Sequence, residues 1–203
     1  KVVAGGTDLL PQLKNGLLRT ACVVDLSGVS QLGRLTHADG GGLRIGASVT
    51  ARTLERDPGL LAGYPAIAES GALVGSVQIR NLATLGGNLC NASPAADSIP
   101  PFLTLDASVE LTSSRGRRVV PLDAFLIGYR ETALRPDELL TVDGHVLAFA
   151  SSAASHDETE RDEASGDGDL LALGESGANF GQPARAGKSL TVGFVAQFLE
   201  LCE

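Results

Sequence analysis

The sequence predicts a mixed α+β protein: a small βαβ unit at residues 1–32, joined to a larger mixed segment over 33–149. Three observations carry this. The apolar run Lys1-Val2-Val3-Ala4 stops at Gly5-Gly6, a helix signal follows, and a second apolar run, Ala21-Cys22-Val23-Val24-Asp25-Leu26, comes after it. Further on, Ala107-Ser108-Val109-Glu110-Leu111-Thr112 alternates apolar and polar residues, turns at Ser114–Gly116 and meets Arg118-Val119-Val120, the pattern of a hairpin with one buried face. Between these lie helix starts marked by capping residues.

In chain order, residues 1–4 read as a short buried strand. Thr7 or Asp8 caps a helix that tolerates Pro11 near its first turn and closes at Lys14, Asn15 and Gly16. Residues 21–26 complete the βαβ unit, with a helix amino terminus facing the second glycine, a geometry that favours an anion. Leu43–Ala47 reads as a strand after the glycine turn at Gly40–Gly42. Thr50 caps a helix through Leu54 and Arg56 that ends near Asp57-Pro58-Gly59. A third helix covers Pro65–Val74, with Ile67, Leu73 and Val74 apolar. Ser98–Leu105 reads as a short helix with Phe102 and Leu103 inward, and Asp123 caps Ala124–Ile127. Leu139–Phe149 is a strand interrupted at Asp143-Gly144.

From residue 150 the character changes. Residues 156–169 hold seven acids against one arginine and so carry most of the net charge of −8. A block of this kind buries too little apolar surface to order itself, so residues 150–188 are expected to be a solvated, disordered segment. Leu190, Phe194, Val195, Phe198 and Leu201 then recur at helical spacing, which predicts an amphipathic helix over 189–203.

The acidic balance argues against nucleic acid or an anionic membrane as partner. Cys22, Cys90 and Cys202 show no Cys-x-x-Cys spacing, so no iron–sulfur cluster or structural zinc is expected on this chain. Three cysteines make no paired disulfide framework, and the cytoplasm is the expected compartment. No apolar run reaches the length of a membrane span, and the start does not read as a signal peptide.

Chemistry concentrates in residues 80–97, Arg-Asn-Leu-Ala-Thr-Leu-Gly-Gly-Asn-Leu-Cys-Asn-Ala-Ser-Pro-Ala-Ala-Asp. Gly86 and Gly87 permit close backbone approach to a charged ligand, successive exposed amides form an anion-binding concavity, and Thr84 and Asn88 add side-chain donors. Ala4-Gly5-Gly6-Thr7-Asp8-Leu9-Leu10 repeats this chemistry. Two such loops are expected to grip the two phosphates of a dinucleotide from opposite sides. No Gly-x-Gly-x-x-Gly occurs, which disfavours a Rossmann site. Arg80 reads as a loop anchor and Cys90 as a small buried apolar residue. Tyr129 fits a ligand contact or a packing role equally, and His37, His145 and His156 read as solvated.

These two glycine motifs are accompanied by Gln78-Ile79-Arg80-Asn81, Ser93-Pro94-Ala95-Ala96-Asp97, Leu105-Asp106-Ala107, Leu43–Ala47, Phe125–Leu134 and Pro136-Asp137-Glu138-Leu139-Leu140. Together, over residues 1–142, the sequence resembles the FAD-binding subunit or domain of the molybdenum hydroxylases, the xanthine dehydrogenase and carbon monoxide dehydrogenase family. The resemblance implies an α+β FAD-binding fold of two subdomains, of the PCMH (vanillyl-alcohol oxidase-like) type, with FAD in the cleft between them. It implies that Ala4, Gly5, Gly6, Thr7, Asp8 and Leu9 line the cofactor, with Gly5, Gly6 and Thr7 toward the pyrophosphate. Thr84, Gly86, Gly87 and Asn88 would face it from the other side, and Asp97 would serve the adenosine end. No catalytic or metal-binding residue is implied here. Electrons would come from molybdopterin on a large subunit through two [2Fe–2S] clusters on a small subunit, reach the flavin, and pass to NAD⁺, oxygen, a quinone or another acceptor.

The family normally carries a further strand and helix before the first glycine loop, and beyond Leu140 the match stops. The sequence therefore reads as a truncated, frame-altered or divergent member. Two other classes remain open at this point. One is a self-sufficient flavin oxidase; the other is a non-catalytic remnant of the fold acting as an interaction module.

Overall fold

The computed structural model describes residues 1–38 and 42–146. The expected acidic segment at 150–188, the helix at 189–203, His156 and most of the turn at 40–42 lie outside the described residues.

The amino-terminal unit forms as a βαβ motif. Strand β1 (Val2–Val3) pairs in parallel with β2 (Val24–Asp25), Val2 opposite Val24, and helix α1 (Leu9–Lys14) connects them. Gly6 adopts φ +71°, a conformation that a Cβ disfavours, and this lets the chain turn from β1 toward α1. Two expectations change. The strand is not buried, for Val2 remains 45% exposed. Asp8 occupies the N-cap position but makes no side-chain capping bond, because its own backbone is already helical.

The main sheet has five antiparallel strands in the order β3-β4-β9-β5-β6. They are β3 (Leu35–Ala38), β4 (Gly42–Gly46), β5 (Ser108–Ser113), β6 (Gly116–Pro121) and β9 (Leu139–Val146). The hairpin β5–β6 forms in the expected place. The strand β3 was not expected, since Leu35-Thr36-His37-Ala38 offers one large apolar side chain in four residues. Strand β9 is not interrupted at Asp143-Gly144; it continues through them, and a register shift against β4 absorbs the irregularity. One face of the sheet carries Leu43, Ile45, Val109, Leu111 and Leu140 into the core.

Helices cover that face. Helix α2 (Ala51–Arg56) starts at Thr50, whose hydroxyl accepts from the Thr53 amide at 3.1 Å. A helix absent from the sequence reading, α3 (Pro58–Gly63), follows at once, with the Asp57 carboxylate accepting from the Leu60 amide at 2.9 Å. Helix α4 (Pro65–Leu73) buries Ile67 and Ala68 but leaves Leu73 68% exposed. Next come α5 (Val77–Arg80), α6 (Leu85–Asn91) and α7 (Ile99–Thr104). In α7 Phe102 points inward as expected, whereas Leu103 is 39% exposed. Helix α8 is Leu122–Phe125, displaced from its expected place. Asp123 lies inside it, Pro121 takes the cap position, and Leu126–Gly128 forms β7, paired with β8 (Glu131–Thr132).

Outside the sheet's core, the buried carboxylate of Glu138 accepts from Arg118 Nε at 2.7 Å and from the Arg135 amide at 3.0 Å. The Arg118 hydrogen bond holds Glu138 well below the ordinary glutamate range, at about 2, against the opposing effect of burial. This ties β6 to the segment that leads into β9.

Candidate functional site

The two glycine stretches meet. The turn after β1 and the first two turns of α6 face each other across a cleft of about 560 Å³, within the usual size for a small-molecule site. Ala4, Gly5, Gly6, Thr7, Asp8 and Leu9 line one wall. Thr84, Gly87 and Asn88 line the other. Two of the residues singled out from the sequence are not on this surface. Gly86 is buried behind the wall, and Asp97 lies exposed in the turn before α7.

The walls differ chemically. Among the described residues, no carbonyl or side chain accepts from the amides of Gly6, Thr7 or Asp8. Three successive backbone donors at a positive-φ turn form a concavity for an anion. The opposite wall does not expose its amides, contrary to the sequence expectation. Gly86-Gly87 is not a loop but the first turn of α6, and every N–H there is engaged. Leu85 donates to Val49 O and Gly86 to Ala47 O, each at 2.9 Å; Gly87 donates to Thr84 Oγ1 at 3.1 Å and Asn88 to Thr84 O at 3.0 Å. The cause is tertiary. Residues 47–51 run alongside 83–86 as an irregular two-stranded contact, and their carbonyls take the donors that a free helix start would leave exposed.

The two adjacent glycines therefore serve different needs. A Cβ on Gly86 would sit 2.7 Å from the Ala47 Cβ and 2.8 Å from the Ala47 carbonyl oxygen, so only glycine lets the two backbones meet. A Cβ on Gly87 would meet nothing within 4 Å except Thr84 Oγ1 at 2.8 Å, because Gly87 opens onto the cleft. Gly5 resembles Gly86, since its Cβ would overlap the Leu82 carbonyl oxygen. Asn88 reaches out of the helix to donate from Nδ2 to Ser98 Oγ at 2.6 Å, which ties the 93–98 turn to α6.

Outside the cleft lining, Arg80 is an anchor by ion pairing, as expected. Its guanidinium donates to Glu55 Oε2 at 3.0 Å and to the carbonyls of Val74 (3.3 Å) and Gly75 (3.0 Å). Arg52 also donates to Glu55, at 2.7 Å, and this bond is the main cause holding the Glu55 carboxyl below its ordinary value.

Other candidates are placed as follows. Cys90 is half-buried on the cleft wall rather than fully inside. Tyr129 is 75% exposed beneath Arg130 and takes no part in the cleft. His37 is exposed and bonded to Asp57 at 3.1 Å. Sequence reasoning missed Gln12 and Asn91, which also line the cleft. A signal existed for Asn91: Thr84, Gly87, Asn88 and Asn91 fall at i, i+3, i+4 and i+7, one face of a helix once the glycines are read as helical. Among the described residues, no group of three or more His, Cys, Asp or Glu gathers to hold a metal, and no helix is long and apolar enough to cross a membrane.

Comparison with known proteins shows the family. Residues 1–142 match the family described as the FAD binding domain in molybdopterin dehydrogenase. The chain belongs to that family. Over 140 residues it is 40% identical to the xanthine dehydrogenase FAD-binding subunit of Escherichia coli O157:H7, a match spanning 69% of this chain and 48% of the relative. It is 32% identical over 150 residues to the carbon monoxide dehydrogenase medium chain of Hydrogenophaga pseudoflava, covering 74% and 52%. Among solved structures, quinoline 2-oxidoreductase from Pseudomonas putida 86 superposes with a TM-score of 0.68 at 34% identity, over 72% of this chain and 52% of that one. The chain thus spans about half the length of the curated relatives it matches.

Proposed function

We propose that this chain is the FAD-binding electron-transfer component of a molybdenum-containing hydroxylase or dehydrogenase, working in the cytoplasm. The observation that carries this is the row of unpaired amides at Gly6, Thr7 and Asp8 opposite the open face of Gly87. A diphosphate fits such a wall: the amides supply donors, and the absent Gly87 side chain lets an oxygen approach the helix backbone. Bound there, FAD would accept electrons from one partner and release them to another.

In this assignment Ala4, Gly5, Gly6, Thr7, Asp8 and Leu9 form the first wall against the cofactor, and Thr84, Gly87 and Asn88 form the second. Gly86 shapes that second wall from behind. Asp97 is assigned to the adenosine end, a placement supported by the Asn88–Ser98 bond that holds its turn beside α6. The βαβ unit and the five-stranded sheet with its helices would be the two subdomains of the PCMH-type fold. The partners are an iron–sulfur subunit with [2Fe–2S] clusters and a molybdopterin subunit that carries the substrate chemistry.

Titrating FAD into the purified chain, followed by flavin absorbance and fluorescence, tests the assignment. Saturable binding with a perturbed flavin spectrum is expected. An unchanged spectrum at high micromolar chain would refute it.

A further inference from the structure

The first glycine turn keeps its shape because a neighbouring backbone is held against it. Gly5 has no room for a Cβ, since one would overlap the Leu82 carbonyl oxygen and lie 3.2 Å from Ala83 Cα. The turn that offers its amides to the cleft is therefore in hard contact with the segment between α5 and α6. That segment carries no buried side chain on its outer side: Asn81 is exposed and Leu82 is 57% exposed. Downstream it is fixed by the Ala83 carbonyl, which accepts from the Ala51 amide at 2.9 Å, and upstream its side-chain attachment lies two residues away. The Arg80 guanidinium joins Glu55 of α2 to the two carbonyls that close α4, with the Arg80 side chain 12% exposed and that of Glu55 20%. Arg80 itself does not line the cleft.

We infer that the Arg80–Glu55 pair is a positioning device for cofactor binding, fixing the Leu82 carbonyl and, through Gly5, the aim of the Gly6–Asp8 amides. The inference rests on the FAD assignment above. A planar guanidinium suits this task because three acceptors converge on it in fixed directions, which a lysine ammonium on a flexible stem does not reproduce. An anion held by several backbone donors loses affinity when their common direction turns, even with every donor still present.

The test compares Arg80→Gln and Glu55→Gln with Arg118→Gln, which breaks another largely buried ion pair, at Glu138, outside the cleft. Arg80→Lys serves as a milder variant should the first two fold poorly. In the flavin-free full chain, amide resonances of residues 5–9 are expected to move in the Arg80 and Glu55 variants but not in Arg118→Gln. FAD affinity per folded molecule is expected to fall about tenfold in the former and to stay within about twofold in the latter. Unmoved resonances at 5–9 in Arg80→Gln would overturn the inference, and so would an equal loss of affinity in Arg118→Gln. Wild-type protein that takes up no FAD would defeat the flavin assignment alone, since the flavin-free resonances still decide the positioning role.

Discussion

Gly86 and Gly87 are neighbours in sequence, yet a methyl group at each should have opposite consequences. At Gly86 the new Cβ would press on the Cβ, carbonyl oxygen and Cα of Ala47 at 2.7, 2.8 and 3.0 Å. Ala47 has little freedom to retreat, because its carbonyl accepts the Gly86 amide. Overpacking of about 1–3 kcal/mol, less about 1 kcal/mol regained from alanine's better helix propensity, leaves a net loss of up to about 2 kcal/mol. That corresponds to a fall in Tm of up to about 8 °C for a chain of this size. At Gly87 the methyl disturbs only Thr84 Oγ1. Losing that cap costs about 1 kcal/mol and the helix gains about as much, so Tm should stay within about 2 °C. The Gly87 methyl, however, occupies the cleft. Displacing one or two charge-assisted contacts should weaken FAD binding by about one to two decades. Melting curves without flavin and FAD titrations, run on wild type, Gly86→Ala and Gly87→Ala, separate the two effects. If Gly87→Ala melts early and binds flavin normally per folded molecule, then Gly87 only shapes the helix and the second wall is assigned wrongly.

The Glu138 carboxylate gives an acid dependence of defined sign. Its folded value of about 2 lies below the ordinary 4.5, so it stabilises the fold above pH 4.5 and loses that contribution as the pH falls toward 2. The full difference is about 3 kcal/mol; urea midpoints at pH 5 and pH 3 should differ less for Glu138→Gln than for wild type, and equal acid slopes would count against it. Thr84→Ala should cost about 1 kcal/mol through the lost cap, measurable by urea denaturation, whereas Thr84→Ser should cost less. Deleting residues 156–169 should shift Tm by less than about 2 °C, since a solvated acidic block adds little packing; a chain that no longer folds would show that the block docks. The isolated chain should hydroxylate no purine or aldehyde and oxidise no carbon monoxide, and turnover of any of these without added subunits would disprove the division of labour proposed here.

Much of this arrangement was legible in local chemistry. Thr50 capping α2 and the β5–β6 alternation follow from residues acting within a few positions of themselves. Two of the failures share a cause: a distant backbone changed the outcome. Gly86-Gly87 looks like an exposed turn in isolation and becomes a helix start because the carbonyls of Val49 and Ala47 take the Leu85 and Gly86 amides and the Thr84 hydroxyl takes that of Gly87. Strand β9 looks broken at Asp143-Gly144 and is completed by pairing with β4, which takes up a register shift there. Leu73 and Leu103 sit at apolar positions by pattern but point outward, a choice made by packing against other elements rather than by period. Helix α3 was a different kind of miss. Asp57 followed by Pro58 is a strong start signal, with a capping carboxylate before a residue whose φ is already helical, and it was read as an ending.

The central place of β9 also bears on how the protein emerges during synthesis. Strands β3 and β4 leave the ribosome as one hairpin, and β5 and β6 as another. Neither hairpin touches the other in the finished sheet, because β9 lies between them and is made last. Until residues 139–146 appear, the inner edges of β4 and β5 present unpaired backbone beside apolar side chains, the condition under which strands add to strangers. At ordinary translation speeds of about 5–20 residues per second, the β4 edge waits seconds for its partner. Nascent chains halted before Leu139 should therefore engage holding chaperones strongly, and chains halted well past Val146 should let them go.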